Sequence, residues 1–207
     1  MNDARDAPRR DFVAVFDADG VFLRTTQPAN FLENRYGLTP ERSAAFYKAM
    51  VPCLTGDADM AALLPDFLRE WKSPESVDEF LEGAFGSGTE IVPEVADVVA
   101  DLRTQGVICC LATNQDKRRM AYLERMNLRT HFDAVFVSCE MGVKKPDLAF
   151  YEKVGERFAG RTLAFWDDRS ENVIAANKSG WTSFEFTGVA SLRGDLARLM
   201  TGRGRGS

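Results

Sequence analysis

Two apolar runs in this chain stop at paired carboxylates. Phe12-Val13-Ala14-Val15-Phe16 runs into Asp17-Ala18-Asp19-Gly20, and Leu163-Ala164-Phe165-Trp166 runs into Asp167-Asp168. Short unbroken apolar runs of this kind read as strands buried on both faces. In an open α/β sheet the carboxyl ends of parallel strands share one edge, so both acidic pairs would meet there. Gathering four like charges is costly unless a cation binds among them. Asp19-Gly20 also suits a hairpin turn, and Asp-Asp ahead of a helix also suits plain dipole compensation. An EF-hand loop is excluded, because Pro28 stands where its bidentate Glu would be.

Strand and helix signals alternate through most of the chain, which argues for βαβ units and a parallel sheet. Further strands are expected at 107–111, 134–137, 162–165 and 182–186. Val95, Val98, Val99 and Leu102 recur at helical spacing behind Pro93, and Met120, Leu123 and Met126 line the next helix. Pro146 opens a helix to about residue 158, Ser170 caps the one carrying Val173 and Ala176, and Leu192, Leu196 and Leu199 mark the last. The expected fold is a doubly wound, parallel, five-stranded Rossmann-like sheet. Its core takes residues 11–24 and 89–200.

Residues 25–88 break the alternation and read as a small inserted helical cap. Phe31 and Tyr36 belong to one helix, Ala45 and Tyr47 to another. Met60, Leu63, Leu64, Phe67, Leu68 and Trp71 keep helical spacing, with a break expected at Pro65. Gly83-Ala84-Phe85-Gly86-Ser87-Gly88 reads as the return linker. The alternative is one all-helical half packed on the sheet edge. Residues 1–10 and 201–207 read as flexible tails.

The chain has 207 residues, 28% of them charged, and a net charge of -5, which gives no reason to expect a nucleic-acid partner. It has neither an apolar run long enough for a bilayer nor a secretory signal, so no membrane partner and a cytoplasmic location are expected. Cys53, Cys109, Cys110 and Cys139 match no zinc spacing and read as buried thiols, with Cys109 and Cys110 on opposite faces of a strand. His131 is the only histidine, which argues against a Ser-His or Cys-His triad.

Two more segments carry chemistry. Val107-Ile108-Cys109-Cys110-Leu111 ends in Ala112-Thr113-Asn114-Gln115. A hydroxyl between a strand end and a helix start can hold a phosphate, although it can equally be an N-cap. In Gly142-Val143-Lys144-Lys145-Pro146-Asp147, Lys145 can reach across a strand-end crevice to a carboxylate and a phosphate, whereas Lys144 reads as solvated loop. Four carboxylates, a Lys and a Thr would then converge, which suits a hard divalent cation such as Mg²⁺ beside a phosphorylated substrate.

Taken in order, Phe16-Asp17-Ala18-Asp19-Gly20-Val21, Leu111-Ala112-Thr113-Asn114, Lys145-Pro146-Asp147 and Trp166-Asp167-Asp168-Arg169-Ser170-Glu171-Asn172 resemble the motifs of the haloacid dehalogenase superfamily of phosphohydrolases. The resemblance covers residues 12–186 and implies a role for each matching residue. Asp17 is the nucleophile that forms an aspartyl-phosphate. Asp19 protonates the leaving oxygen, later activates water, and offers its main-chain carbonyl to the metal. Thr113, Asn114 and Lys145 hold the phosphoryl group. Asp168 ligates Mg²⁺ together with Asp17, and Asp167 ligates or supports it. The family's dehalogenases lack a carboxylate where Asp19 stands, so its presence favours phosphate esters. Trp166 departs from the pattern, being bulky where a smaller residue is common, and is expected to narrow the crevice.

The implied function is Mg²⁺-dependent hydrolysis of a small phosphomonoester, a sugar phosphate or similar metabolite. The rivals are a phosphomutase and a catalytically silent relative that binds a phospholigand or a protein. A receiver domain has no inserted cap. Arg24, Arg35, Arg42 and Lys48 could meet an anionic leaving group, but a solvated face is the commoner role of such residues. Phe31, Phe46, Met50 and Trp71 read as cap core rather than pocket.

Overall fold

The computed structural model describes residues 12–25, 30–86 and 88–201. Five strands form one sheet in the order β5-β4-β1-β6-β7 and run parallel throughout. They are β1 (Phe12–Phe16), β4 (Ile108–Thr113), β5 (Ala134–Val137), β6 (Thr162–Asp167) and β7 (Thr182–Glu185). The tails expected at the termini lie outside the described residues, apart from Thr201.

Alternation along the central strands divides the interior into two apolar layers. Phe12, Ala14 and Phe16 of β1, with Cys109 and Leu111 of β4 and Trp166 of β6, face one layer. That layer is closed by α6 (Pro93–Thr104), α7 (Lys117–Arg125) and α11 (Val189–Met200). Val13 and Val15, with Cys110 and Phe165, face the other, closed by α9 (Leu148–Glu156) and α10 (Ser170–Lys178). Both faces of the sheet are therefore covered, as a parallel sheet requires. All four thiols are free, and Cys109 and Cys110 point to opposite layers as expected.

β4 and β6 each run two residues further than the strands expected from the sequence. The ladder continues through Thr113 opposite Val137 and Asp167 opposite Glu185. Polar residues at these ends still pair through their backbones, which hydrophobicity does not report. The result carries Thr113 and Asp167 to the carboxyl edge on rigid strand.

Between β1 and α6 stands a helical insertion. It comprises α1 (Phe31–Tyr36), α2 (Pro40–Ala49), α3 (Val51–Leu54), α4 (Met60–Glu70) and α5 (Val77–Phe85). Leu32, Phe46, Met50, Leu64, Leu68, Trp71 and Phe80 pack into an apolar cluster of its own. Two three-residue strands, β2 (Leu23–Thr25) and β3 (Thr89–Ile91), pair antiparallel where the chain leaves and re-enters the sheet domain. The sequence pattern predicts no strand in that stretch, because three residues carry no measurable period.

Other expectations need correction. α4 runs unbroken through Pro65. One backbone bond to Ala61 is lost there, and burial of Leu64 and Leu68 on either side outweighs it. Gly83 lies inside α5, so the return linker starts at Gly86. α5 carries a complete Ser76/Glu79 capping box that fixes its start instead. Pro146 does not open a helix: residues 144–147 turn, with Asp147 N–H donating to Lys144 O at 2.9 Å, and α9 begins at Leu148. Ser170 is the first residue of α10, behind Arg169, and makes no cap bond. A four-residue α8 (Ser138–Met141) follows β5. His131 closes a short 3-10 turn and packs its ring edge-on to Phe22. Among the described residues no helix is long and apolar enough to cross a membrane.

Candidate active site

The carboxyl ends of β1, β4 and β6 meet at a pocket of about 550 Å³. Asp17, Asp19, Thr113, Asn114, Lys145 and Asp168 all line it, with Arg24, Arg169 and Asn172 nearby. The hairpin alternative fails, since β1 pairs with β4 and β6 and not with the segment after Gly20. The N-cap alternative fails at Thr113 and Asn114, because Asp116 caps α7 by accepting from Arg118 N and Arg119 N.

Lys145 is the centre of the arrangement. Its ammonium is buried and donates to Asp17 Oδ1 at 2.8 Å and to Asp167 Oδ2 at 2.6 Å. An ammonium has three donors, so one remains for a ligand. Burial alone would discharge it, but Asp17 and Asp167 outweigh that and keep its pKa above the ordinary value. Asp17 is also buried, and burial pushes its carboxyl up to about 7 against the pull of Lys145. Its Oδ1 accepts from Ala18 N at 2.6 Å as well. Among the described residues, both of these contacts fall on Oδ1.

Carboxylate oxygens of Asp17, Asp167 and Asp168 lie within 4.8 Å of one another. An all-oxygen, acidic donor set of this kind fits a hard cation such as Mg²⁺. The members are not equivalent. Both Asp167 oxygens accept from Asn172 Nδ2 at 3.0 Å, Oδ1 from Arg169 N, and Oδ2 from Lys145. Asp167 is thus already saturated and braces Lys145, which leaves Asp17 and Asp168 as the freer pair. Burial, and then the charge of Asp167, raise the Asp168 pKa. A cation between them would relieve both strained carboxylates. The Asp19 side chain stands outside this cluster and reaches Gln115 and Arg119 instead.

Asn114 lines the pocket and also ties down the lysine. Its side-chain amide donates to Lys145 O and accepts from Lys145 N, both at 2.8 Å. Both ends are used to pin the lysine backbone. Thr113 is buried with its Oγ1 accepting from Gln115 Nε2 at 3.3 Å, which leaves the hydroxyl proton free to donate.

Trp166 does not narrow the crevice. It is fully buried, stacks between Phe16 and Phe184, and donates its indole N–H to Asp195 at 3.2 Å. Its strand position points it into the first apolar layer, away from the pocket. Arg24 pairs with Glu90 across the β2–β3 junction, and within the insertion Arg35 and Arg42 pair with Glu75 and Glu70. Trp71 is cluster core, whereas Phe31, Phe46 and Met50 also line an apolar cavity of about 290 Å³ with Leu54 and Phe85.

A family model described as haloacid dehalogenase-like hydrolase matches residues 13–180. A sesquiterpene phosphatase of Aspergillus oryzae is 33% identical over 110 residues, 51% of this chain and 56% of that protein. A phosphoglycolate phosphatase of Pseudomonas fluorescens is 25% identical over 181 residues, 81% of this chain and 66% of that protein. The matches thus span about half to two thirds of these relatives' own length. A HAD family enzyme of Bacteroides thetaiotaomicron, solved with magnesium and inorganic phosphate, superposes with a TM-score of 0.69 at 18% identity, over 83% of this chain and 92% of that one. At that identity the likeness shows the fold.

Proposed function

The chain belongs to the haloacid dehalogenase-like hydrolases, and from that premise we propose that it hydrolyses a small phosphomonoester with Mg²⁺ held by Asp17 and Asp168. The observation that carries the reading is the buried Lys145 ammonium bridging Asp17 and Asp167 beside Asp168. A cation with one spare donor, set against a nucleophilic carboxylate, is what a phosphoryl group needs for charge and alignment.

Asp17 attacks phosphorus through one carboxylate oxygen while Lys145 and the Thr113 hydroxyl hold the nonbridging oxygens. Asp19 gives its proton to the leaving oxygen. Asp19 then takes a proton from the water that cleaves the aspartyl-phosphate, which regenerates Asp17. Bound Mg²⁺ supplies positive charge to the phosphoryl oxygens and offsets the acidic cluster. The insertion acts as a cap that selects the leaving group and excludes water.

The leaving group in this reading is a sugar or similar small polyol, which a pocket of about 550 Å³ has room to hold. The apolar cavity within the insertion favours a second one, a hydrocarbon chain such as an isoprenoid monophosphate. The relative acting as a sesquiterpene phosphatase leans the same way. p-Nitrophenyl phosphate hydrolysis with Mg²⁺ and with a chelator tests the chemistry. Undiminished turnover in metal-free protein would refute it. Sugar phosphates run against isoprenyl monophosphates then decide between the two leaving groups.

A further inference from the structure

Asp19 is anchored by two donors from the segment after β4. Gln115 Nε2 donates to Oδ2 at 2.6 Å and an Arg119 terminal nitrogen donates to Oδ1 at 3.0 Å. Arg119 lies in the first turn of α7, where Asp116 accepts its backbone N–H. The guanidinium is nearly buried and has two more partners. Its other terminal nitrogen donates to Thr89 Oγ1 in β3 at 3.2 Å, and it lies 5.5 Å from the ring of Phe85, the last residue of α5. One planar cation therefore touches the candidate acid–base, the return strand of the insertion and the insertion's final helical residue.

Three features separate this from an ordinary surface pair. The arginine end is shielded, with its side chain 11% exposed, so water screens it little. The fork geometry of a guanidinium serves two oxygen acceptors at once, which an ammonium on the same stem cannot reproduce. Its partners lie on both sides of the insertion, with Asp19 before it and Phe85 and Thr89 at its end. Asp19 itself is 45% exposed on the pocket side, so the anchored carboxylate still presents itself to a ligand.

We propose that Arg119 is a positioning residue that couples the insertion's return strand to the Asp19 carboxylate, holding that carboxylate where leaving oxygen and attacking water meet it. The proposal rests on the phosphatase reading above. A displacement of Thr89 or Phe85 is then felt at Asp19 without any contact between the insertion and the reacting atoms. Arg119 touches no substrate; it acts through Asp19.

The test is rapid-quench measurement of phosphoenzyme formation and decay in wild type, Arg119→Met, Asp19→Asn and the double variant. p-Nitrophenyl phosphate and an alkyl phosphate serve as donors. Arg119→Met should slow phosphoenzyme decay, and formation from the alkyl ester, by about tenfold to a hundredfold, less than the ~10²–10⁴-fold of outright acid–base loss because the carboxylate is misplaced and not removed. Formation from the activated ester should fall much less. In the Asp19→Asn background the same change should alter decay by less than about threefold, because groups acting as one unit are not additive. Equal slowing in both backgrounds, or of all steps alike, would overturn the proposal. Thr89→Val and Arg119→Lys guard against a folding failure of the methionine variant. Each should slow decay several-fold, and normal decay in both would also overturn it. Amide exchange across residues 89–91 should quicken in Arg119→Lys, and unchanged exchange would refute the link to the return strand. A wild type silent on every ester would overturn the phosphatase reading as well, whereas active wild type with normal Arg119 variants refutes the positioning role alone.

Discussion

Gly20 lines the pocket at a position with no room for a side chain. Its φ is +81°, and a Cβ built there would stand 2.1 Å from Asp168 Oδ2. Gly20→Ala therefore carries the left-handed backbone cost of about 1–2 kcal/mol and also displaces a candidate metal ligand. Both a lower melting temperature and weaker Mg²⁺ binding by titration calorimetry are expected. A destabilised variant with unchanged Mg²⁺ affinity would detach Asp168 from the metal. Asp17 gives a pH-dependent counterpart. Burial raises its carboxyl to about 7, so below that pH the metal-free protein holds a proton there that a bound cation must displace. Apparent Mg²⁺ affinity should rise by about tenfold per pH unit up to about 7 and then level, because above that pH no proton remains to be released. A flat profile from pH 5 to 8 would contradict this. Asp17, Asp19, Thr113 and Asp168 were legible in the sequence because each ends a strand or an adjoining turn, where periodicity stops abruptly, and Lys145 because it stands immediately before Pro146. Arg119 and Gln115 were not. One Arg among the Lys117-Arg118-Arg119 run carries no local sign of a partner 100 residues away.

At the scale of elements, α7 is the rail on which the insertion sits. Arg118 grips Asp59 with two nitrogens at 2.8 and 2.5 Å, Lys117 adds a third contact, Tyr122 donates to Gly86 O, and Arg125 pairs with Glu82. Asp59 also caps α4 by accepting from Ala61 N. Arg118 above all holds its carboxyl well below the usual carboxylate range. With a depressed folded-state pKa, the stabilisation is present above the ordinary carboxylate range and is lost as pH falls through that range and below. Asp59→Asn keeps the capping oxygen and removes the ion pair, so it should cost about 1 kcal/mol or less in urea unfolding at neutral pH and low salt. The cost should vanish in 1 M salt, where the Debye length is about 3 Å. A cost that persists there would mean the contact is not electrostatic. The helices of this rail were readable from apolar spacing. β2 and β3 were not, since their pairing depends on residues 66 apart (Arg24 and Glu90) meeting across the junction.

For the molecule as a whole, the pocket and the insertion are adjacent but separate. Among the described residues, everything lining the pocket comes from the sheet domain, β2 or the loops at the carboxyl edge, and none from α1–α5. A cap that selects a leaving group has to cover the phosphate site, so this arrangement reads as open. If the chain pivots at the two-stranded β2–β3 ribbon and the turn at Gly86, the Asp59 ion pairs are among the contacts that the pivot must break. Vanadate with Mg²⁺ mimics the transferring phosphoryl group and should draw the insertion over the pocket. Small-angle scattering should then show a smaller radius of gyration, and amides of residues 23–25 and 89–91 should exchange more slowly. The ion pairs turn this into a quantitative claim. If they hold the open form by about 1 kcal/mol, removing them lowers the vanadate concentration at half-closure by about fivefold. Asp59→Asn should show that shift at low salt, and wild type should approach it as salt is raised. Identical closure curves for the two proteins at low salt would place the hinge's resistance elsewhere. Scattering and exchange unmoved by vanadate in both would mean that the insertion is fixed and the substrate enters a site that never closes.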